Sequence, residues 1–251
     1  MRGGESRSMI EGQSRQRLLT TQEVTNYHRD GFLVADQALS CHECRHYLSQ
    51  ADTLKCEGGE EYAPIMNPHR LNTAFFSLLK HPFIVSAMGS LLRSQKICAL
   101  QSMLYFKKPG ALGRDVHQDN FYVQAAQFVF GGAWVALDDA DQENGCLYAY
   151  VGSHQEPILE VKEEAYRTPH PAEANFVNDR GRPCVIPKGY RKVYLPAKAG
   201  SVVFMDGNLV HGSELNQSQN RFRRAFIGHY IKEGSSFRSG LHAQREAINV
   251  Y

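Results

Sequence analysis

The spacing of apolar residues changes partway along the chain. Thr20-x-x-Glu23 forms a capping box that predicts a helix start, and Gly31 suits the left-handed position that ends it. Phe32-Leu33-Val34 then reads as a short strand. Ser40-x-x-Glu43 predicts a second helix running to about residue 54, with Cys44, Tyr47, Leu48, Ala51 and Leu54 as its apolar stripe. Residues 71–92 keep helical spacing, broken at Pro82.

Beyond residue 96 the pattern becomes one of short β-branched and aromatic runs, at 97–106, 128–137, 146–151, 193–195, 202–205 and 223–231. Gly, Pro, Asn and Asp separate them, which predicts an antiparallel sandwich or barrel. The polar, Pro-bearing stretch 152–194 has no periodicity and reads as a functional loop or lid. Residues 1–18 are expected to be a disordered tail and 19–251 a single domain, mainly β with flanking helices.

Composition narrows the partners. The 28 basic and 26 acidic residues leave a charge of +2, without the cationic excess that nucleic acid demands. The start of the chain lacks an apolar signal stretch, and no run of about 18 apolar residues suggests a membrane span. Six cysteines, at 41, 44, 56, 98, 146 and 184, are too sparse for a disulfide scaffold. A reduced, cytoplasmic protein that acts on a small molecule is the expectation.

Candidate chemistry begins at Asp115-Val116-His117-Gln118-Asp119. On extended backbone His117 and Asp119 share a face. His211, set between Gly207 and Gly212 after a strand, offers a third ligand. Two imidazoles and one carboxylate with open positions opposite suit non-haem Fe(II). The competing reading is an ordinary His–Asp pair in a turn and a core histidine. Arg223, Ala225, Ile227 and His229 alternate onto one strand face, and an inward arginine requires an anion. In an iron site that anion can be the far carboxylate of 2-oxoglutarate. Arg221 and Arg224 read as solvated charges, and His229 as core filling. His42-Glu43-Cys44-Arg45-His46 formally matches the zinc hydrolase pattern H-E-x-x-H. Against it, His42 and His46 fall on the solvated helix face and Glu43 already serves as a cap.

His117-Gln118-Asp119, Trp134, Asn144-Gly145-Cys146-Leu147, Gly152-Ser153-His154 and His211-Gly-Ser with Asn216 and Phe222-Arg223 occur in an order that resembles the phytanoyl-CoA dioxygenase family. Tyr27-His28-Arg29-Asp30-Gly31-Phe32 resembles its amino-terminal junction. The resemblance implies a double-stranded β-helix (jelly-roll, cupin-like) core and an oxygenase using Fe(II), 2-oxoglutarate and O2. It assigns the metal to His117, Asp119 and His211. Arg223, Ser213, Gln118, Met103 and Trp134 match positions that the resemblance assigns to 2-oxoglutarate, and Tyr105, which shares a strand face with Met103, is expected to assist; one extra residue before Phe222 leaves Arg221 as a rival to Arg223. The implied reaction is hydroxylation, dealkylation or desaturation of a small polar metabolite or natural-product intermediate. An acyl-CoA hydroxylase, a silent small-molecule-binding barrel and the zinc hydrolase are the alternatives.

Overall fold

The structure, a computed structural model, describes residues 17–57, 64–162 and 182–251. Most of the expected tail and the middle of the expected lid, including Arg180, lie outside the described residues. Arg17, assigned to the tail, already pairs with Glu23 (2.9 Å).

Four helices precede the main strands: α1 (Thr21–Asp30), α2 (Cys41–Glu57), α3 (Thr73–Leu79) and α4 (Pro82–Leu91), with β1 (Phe32–Ala35) and β2 (Ile65–Met66) between them. Both expected capping boxes form. The Thr20 hydroxyl accepts from Glu23 N–H, the Ser40 hydroxyl from Glu43 N–H, and each glutamate accepts from its cap's backbone. Gly31 closes α1 at φ +86°. Pro82 occupies the first turn of α4, where its missing N–H costs nothing, so the apolar stretch 73–91 is two helices. That stretch is long and apolar enough for a membrane span by composition, yet half of it is buried inside the fold.

The strands that follow are β3 (Ile97–Lys107), β4 (Phe130–Ala136), β5 (Leu147–Tyr150), β6 (Lys192–Leu195), β7 (Val202–Asp206), β8 (His211–Ser213), β9 (Arg223–Lys232) and β10 (Ile248–Asn249). A short helix, α5 (Asn120–Val123), separates β3 from β4. The larger sheet runs β1-β7-β4-β9-β3-β10 with β2 also on β3, and the smaller runs β6-β5-β8. All pairings are antiparallel. Two facing antiparallel sheets make the expected jelly roll.

Alternation along the strands sends apolar residues to both faces of the larger sheet. Ala133, Val135, Val202, Phe204, Phe226 and Tyr230 pack under the helices, where Phe226 stacks on Phe75 at 5.8 Å. Trp134, Ala136, Val203, Met205, Ala225 and Ile227 point the other way and meet Leu147, Ala149 and Leu195 of the smaller sheet. A bulge between Ala99 and Gln101 resets β3 so that Gln101, Met103 and Tyr105 face the inter-sheet space. The helices thus back one sheet and leave its other face to line a cavity.

Candidate active site

That cavity, of about 240 Å³, opens between the sheets. His117 and His211 hold each other through an antiparallel bridge, N–H to carbonyl in both directions (2.9 and 3.0 Å). Their ring centroids lie 4.4 Å apart. Asp119 is the first residue before α5 and has helical backbone (φ −61°, ψ −33°), so the extended geometry expected at 117–119 does not extend to it. The turn still brings Asp119 Oδ1 to 3.4 Å from His117 Nε2, and Oδ2 to 3.9 Å from His211 Nε2. Ligand atoms of all three fall within 4.8 Å of one another, the one such group among the described residues.

The donor set fits a divalent transition metal. His117 Nδ1 donates to the Asp115 carbonyl (2.7 Å) and His211 Nδ1 to the Leu209 carbonyl (3.0 Å). Each ring therefore presents its Nε2 lone pair to the shared point, the tautomer a metal ligand needs. Burial pushes His211 down to about 4, with His117 adding to the effect, so it stays neutral. Burial alone would raise the Asp119 carboxyl, but His229, His211 and His117 outweigh it and hold it well below the usual carboxylate range. Glycines keep this corner open. A Cβ on Gly212 would fall 2.5 Å from the Tyr148 hydroxyl, and one on Gly207 would enter the Phe130 ring.

Sequence reasoning missed His229 as a site residue. It is buried on β9, lines the cavity and sets Nε2 at 3.3 Å from Asp119 Oδ2, while Gln101 Nε2 donates to its Nδ1 (2.9 Å). Gly132 lies opposite on β4, where a Cβ would come into van der Waals contact with the His229 ring at 3.4 Å. The face shared with Arg223 was the signal that could have found it.

Arg223 is 3% exposed and lines the same cavity. Its Nε donates to the Gly145 carbonyl (3.2 Å) and its guanidinium lies 5.6 Å from the Trp134 ring. No carboxylate among the described residues pairs with it, and burial pushes it down to about 10. Arg221 is different: it forks onto Asp141 (2.8 Å to each oxygen) and reaches Glu143 (2.6 Å) at the surface. Of these two, Arg223 faces the cavity.

Met103, Tyr105, Trp134 and Ser213 also line the cavity, the Ser213 hydroxyl accepting from Arg114 N–H (2.9 Å). Gln118 does not. Its amide donates to the Pro157 and Asn208 carbonyls (3.0 and 2.8 Å) and accepts from Leu159 N–H (2.7 Å). The expected co-substrate contact therefore has no counterpart in the cavity lining: the Gln118 amide holds Pro157 and Leu159 against Asn208. Lys188, Arg191 and Lys192, within the stretch expected to form a lid, are exposed and do not line the cavity. His42 and His46 are exposed, with Glu43 held by its cap and 3.3 Å from His81, so no zinc site forms there. His154 is buried in a turn, against the His28 carbonyl (3.1 Å).

Comparison with known proteins agrees with this geometry. A family model described as "Phytanoyl-CoA dioxygenase (PhyH)" matches residues 27–225. "Phytanoyl-CoA dioxygenase" of Arabidopsis thaliana is 32% identical over 59% of this chain and 49% of its own length. "Phytanoyl-CoA dioxygenase domain-containing protein 1" of Danio rerio is 29% identical over 80% of this chain and 86% of its own. The chain spans about half the length of the first curated relatives it matches. Among solved structures, the epimerase SnoN in complex with Fe3+, alpha ketoglutarate and nogalamycin RO superposes with a TM-score of 0.70. It is 20% identical, covering 91% of this chain and 94% of SnoN, and at that identity the likeness is one of fold. With the family pattern matched across most of its length, the chain belongs to the phytanoyl-CoA dioxygenase (PhyH) family.

Proposed function

We propose that this protein is an Fe(II)- and 2-oxoglutarate-dependent oxygenase that hydroxylates, dealkylates or desaturates a small polar metabolite in the cytoplasm. The observation that carries the reading is one cavity holding His117, Asp119 and His211 at one place and the unpaired guanidinium of Arg223 at another. His117, Asp119 and His211 would hold the metal on one side and leave the other side to exchangeable ligands. Arg223 suits the far carboxylate of 2-oxoglutarate, because a guanidinium fork pairs both oxygens at once. Trp134, Met103 and Tyr105 flank that carboxylate's place, and Ser213 sits beside it.

When bound, Fe(II) with 2-oxoglutarate and O2 supplies the oxidising chemistry, with succinate and CO2 as co-products. The protein's part is orientation and shielding. His229, with Nε2 3.3 Å from Asp119 Oδ2, would orient that carboxylate, and the buried cavity walls limit water. SnoN, crystallised with Fe3+ and alpha ketoglutarate, supports the cofactor assignment. Cys41, Cys44, Cys98, Cys146 and Cys184 are free thiols, which supports a reducing compartment. The acyl-CoA alternative, suggested by the relatives' names, fits less well: the cavity is small, with arginines and histidines in its walls.

The test is succinate formation from 2-oxoglutarate with Fe(II), O2 and a metabolite extract, scored alongside mass gain of one oxygen. Wild type should turn over and Asp119→Ala should not. Equal succinate from both proteins would refute the reading. Binding of 2-oxoglutarate without any turnover would instead identify a silent binding barrel.

A further inference from the structure

The cavity has a second buried guanidinium, which neither the metal nor the co-substrate uses. Arg245 is 8% exposed and lines the cavity from the segment before β10. Its Nη1 is committed to backbone, donating to the carbonyls of Tyr122 (3.1 Å), Arg238 (3.2 Å) and Ser239 (3.4 Å). Its Nε is buried and has no hydrogen-bond partner. Nη2 makes no hydrogen bond with any described residue, and no carboxylate pairs with the side chain. The edge formed by Nε and Nη2 is the one that grips two oxygens of a single anion, and here it is left unfilled. Burial pushes this guanidinium down to about 10, which Asp119 partly offsets. A positive charge held that way is stabilised by an incoming anion.

Position separates this arginine from Arg223. Arg223 pairs with Lys107 at one end of the β3–β9 ladder. Arg245 is anchored near the other end, where Glu246 N–H donates to the Leu100 carbonyl (3.4 Å). The backbone levels of Lys107 and Leu100 are seven residues apart, about 23 Å along a strand. The Tyr122 carbonyl that holds Nη1 belongs to α5, which begins directly after Asp119. Arg245 therefore approaches the cavity from the α5 side, across from Arg223.

Resting on the oxygenase reading above, we propose that Arg245 binds an oxyanion head group, carboxylate or phosphate, on the substrate. The substrate is then a small acid whose anionic group lies close to the carbon that is oxidised. Asp119, the sole carboxylate among the described residues lining the cavity, belongs to the metal and would repel such a group if the metal were absent. Metal and co-substrate binding should accordingly precede it.

The experiment uses calorimetry on enzyme loaded with Mn(II) and 2-oxoglutarate, so turnover plays no part. The probes are carboxylic acids of three to eight carbons, each beside its primary amide, together with the matching alkyl phosphates. At least one acid or phosphate should bind about tenfold or more tightly than the neutral partner. Arg245→Gln should erase that preference, and so should Arg245→Lys, which keeps a charge but lacks the two-toothed edge. Affinity for 2-oxoglutarate should stay within about twofold of wild type in both. Carboxylate and phosphate arms tell the two head groups apart. Failure of every anion to outbind its neutral partner overturns the proposal, as does a preference that survives both substitutions. Loss of 2-oxoglutarate binding in the Arg245 variants also overturns it, by assigning the residue to the co-substrate. If wild type itself fails to bind 2-oxoglutarate, the oxygenase reading fails first.

Discussion

Replacing Arg223 with Met should move two measurements in opposite directions. In the ligand-free protein the guanidinium is buried with one hydrogen bond, to the Gly145 carbonyl, and an aromatic neighbour in Trp134. Burial lowers it from 12.5 to about 10, which corresponds to about 3 kcal/mol against the charged form. Because the folded-state value lies below the unfolded one, that penalty is present in full at any pH below about 10 and relieved only above it. Methionine of similar length removes the penalty. It forfeits the hydrogen bond and the ring contact, about 1 kcal/mol each. The net gain of about 1 kcal/mol should raise the melting temperature of the metal-free protein by about 2–4 °C. Binding of 2-oxoglutarate should suffer instead. A lost charge-assisted fork is worth about 3 kcal/mol, so Kd should rise about 100-fold. Thermal melting at pH 7.5 and calorimetry on Mn(II)-loaded enzyme read the two effects. A lower melting temperature with an unchanged Kd would show that Arg223 is a structural residue, and the co-substrate assignment would be wrong.

His229→Asn should weaken Mn(II) binding about 10- to 100-fold by freeing the Asp119 carboxylate, with little change in the circular dichroism of the fold; unchanged metal affinity would reduce His229 to packing. Asp206 is buried and its carboxyl is pushed up to about 7, even though it accepts from Asn208 N–H (2.9 Å). Its penalty is absent below the unfolded value near 4 and complete above about 7, so Asp206→Asn should raise the melting temperature at pH 8 by several degrees and leave it unchanged at pH 4. Equal shifts at both values would exclude a titrating carboxyl. His42→Ala with His46→Ala should leave metal content and turnover at wild-type levels, since both rings are solvent-exposed; loss of bound metal would revive the zinc alternative.

The candidate metal-binding triad was legible because its chemistry is encoded in type and local spacing. His117 and Asp119 lie two apart and His211 is bracketed by glycines that the tight Tyr148 and Phe130 contacts explain. The inward face of β9 was legible for the same reason, since strand alternation alone puts Arg223, Ala225, Ile227 and His229 together. What stayed hidden depends on where distant backbone arrives. Gln118 looked like a pocket residue by its place between two ligands, yet its orientation is set by carbonyls at Pro157 and Asn208. Arg245 lies in a segment with no periodicity, and contacts to distant backbone, among them the pairing of β10 with β3 and the Tyr122 carbonyl, carry it to the cavity. The strand holding His211 is just three residues long, too short for hydrophobic alternation to announce.

The cavity's charges also dictate an order of assembly. The Asp119 carboxyl is held well below the usual carboxylate range, so the ligand-free site already presents a negative charge to a cation. Arg223 and Arg245 are held without counter-charges, and each makes the empty protein less stable than its apolar packing would allow. Filling the metal site first screens Asp119 and lets an anion approach Arg223; filling Arg223 then leaves Arg245 as the remaining unmatched charge. Each step stabilises the fold by mass action, in proportion to the logarithm of ligand concentration over Kd. Melting temperature should therefore climb stepwise as metal, 2-oxoglutarate and an acidic substrate are added in that sequence. Adding 2-oxoglutarate without metal should give a much smaller rise, because the unscreened Asp119 carboxylate faces the same cavity.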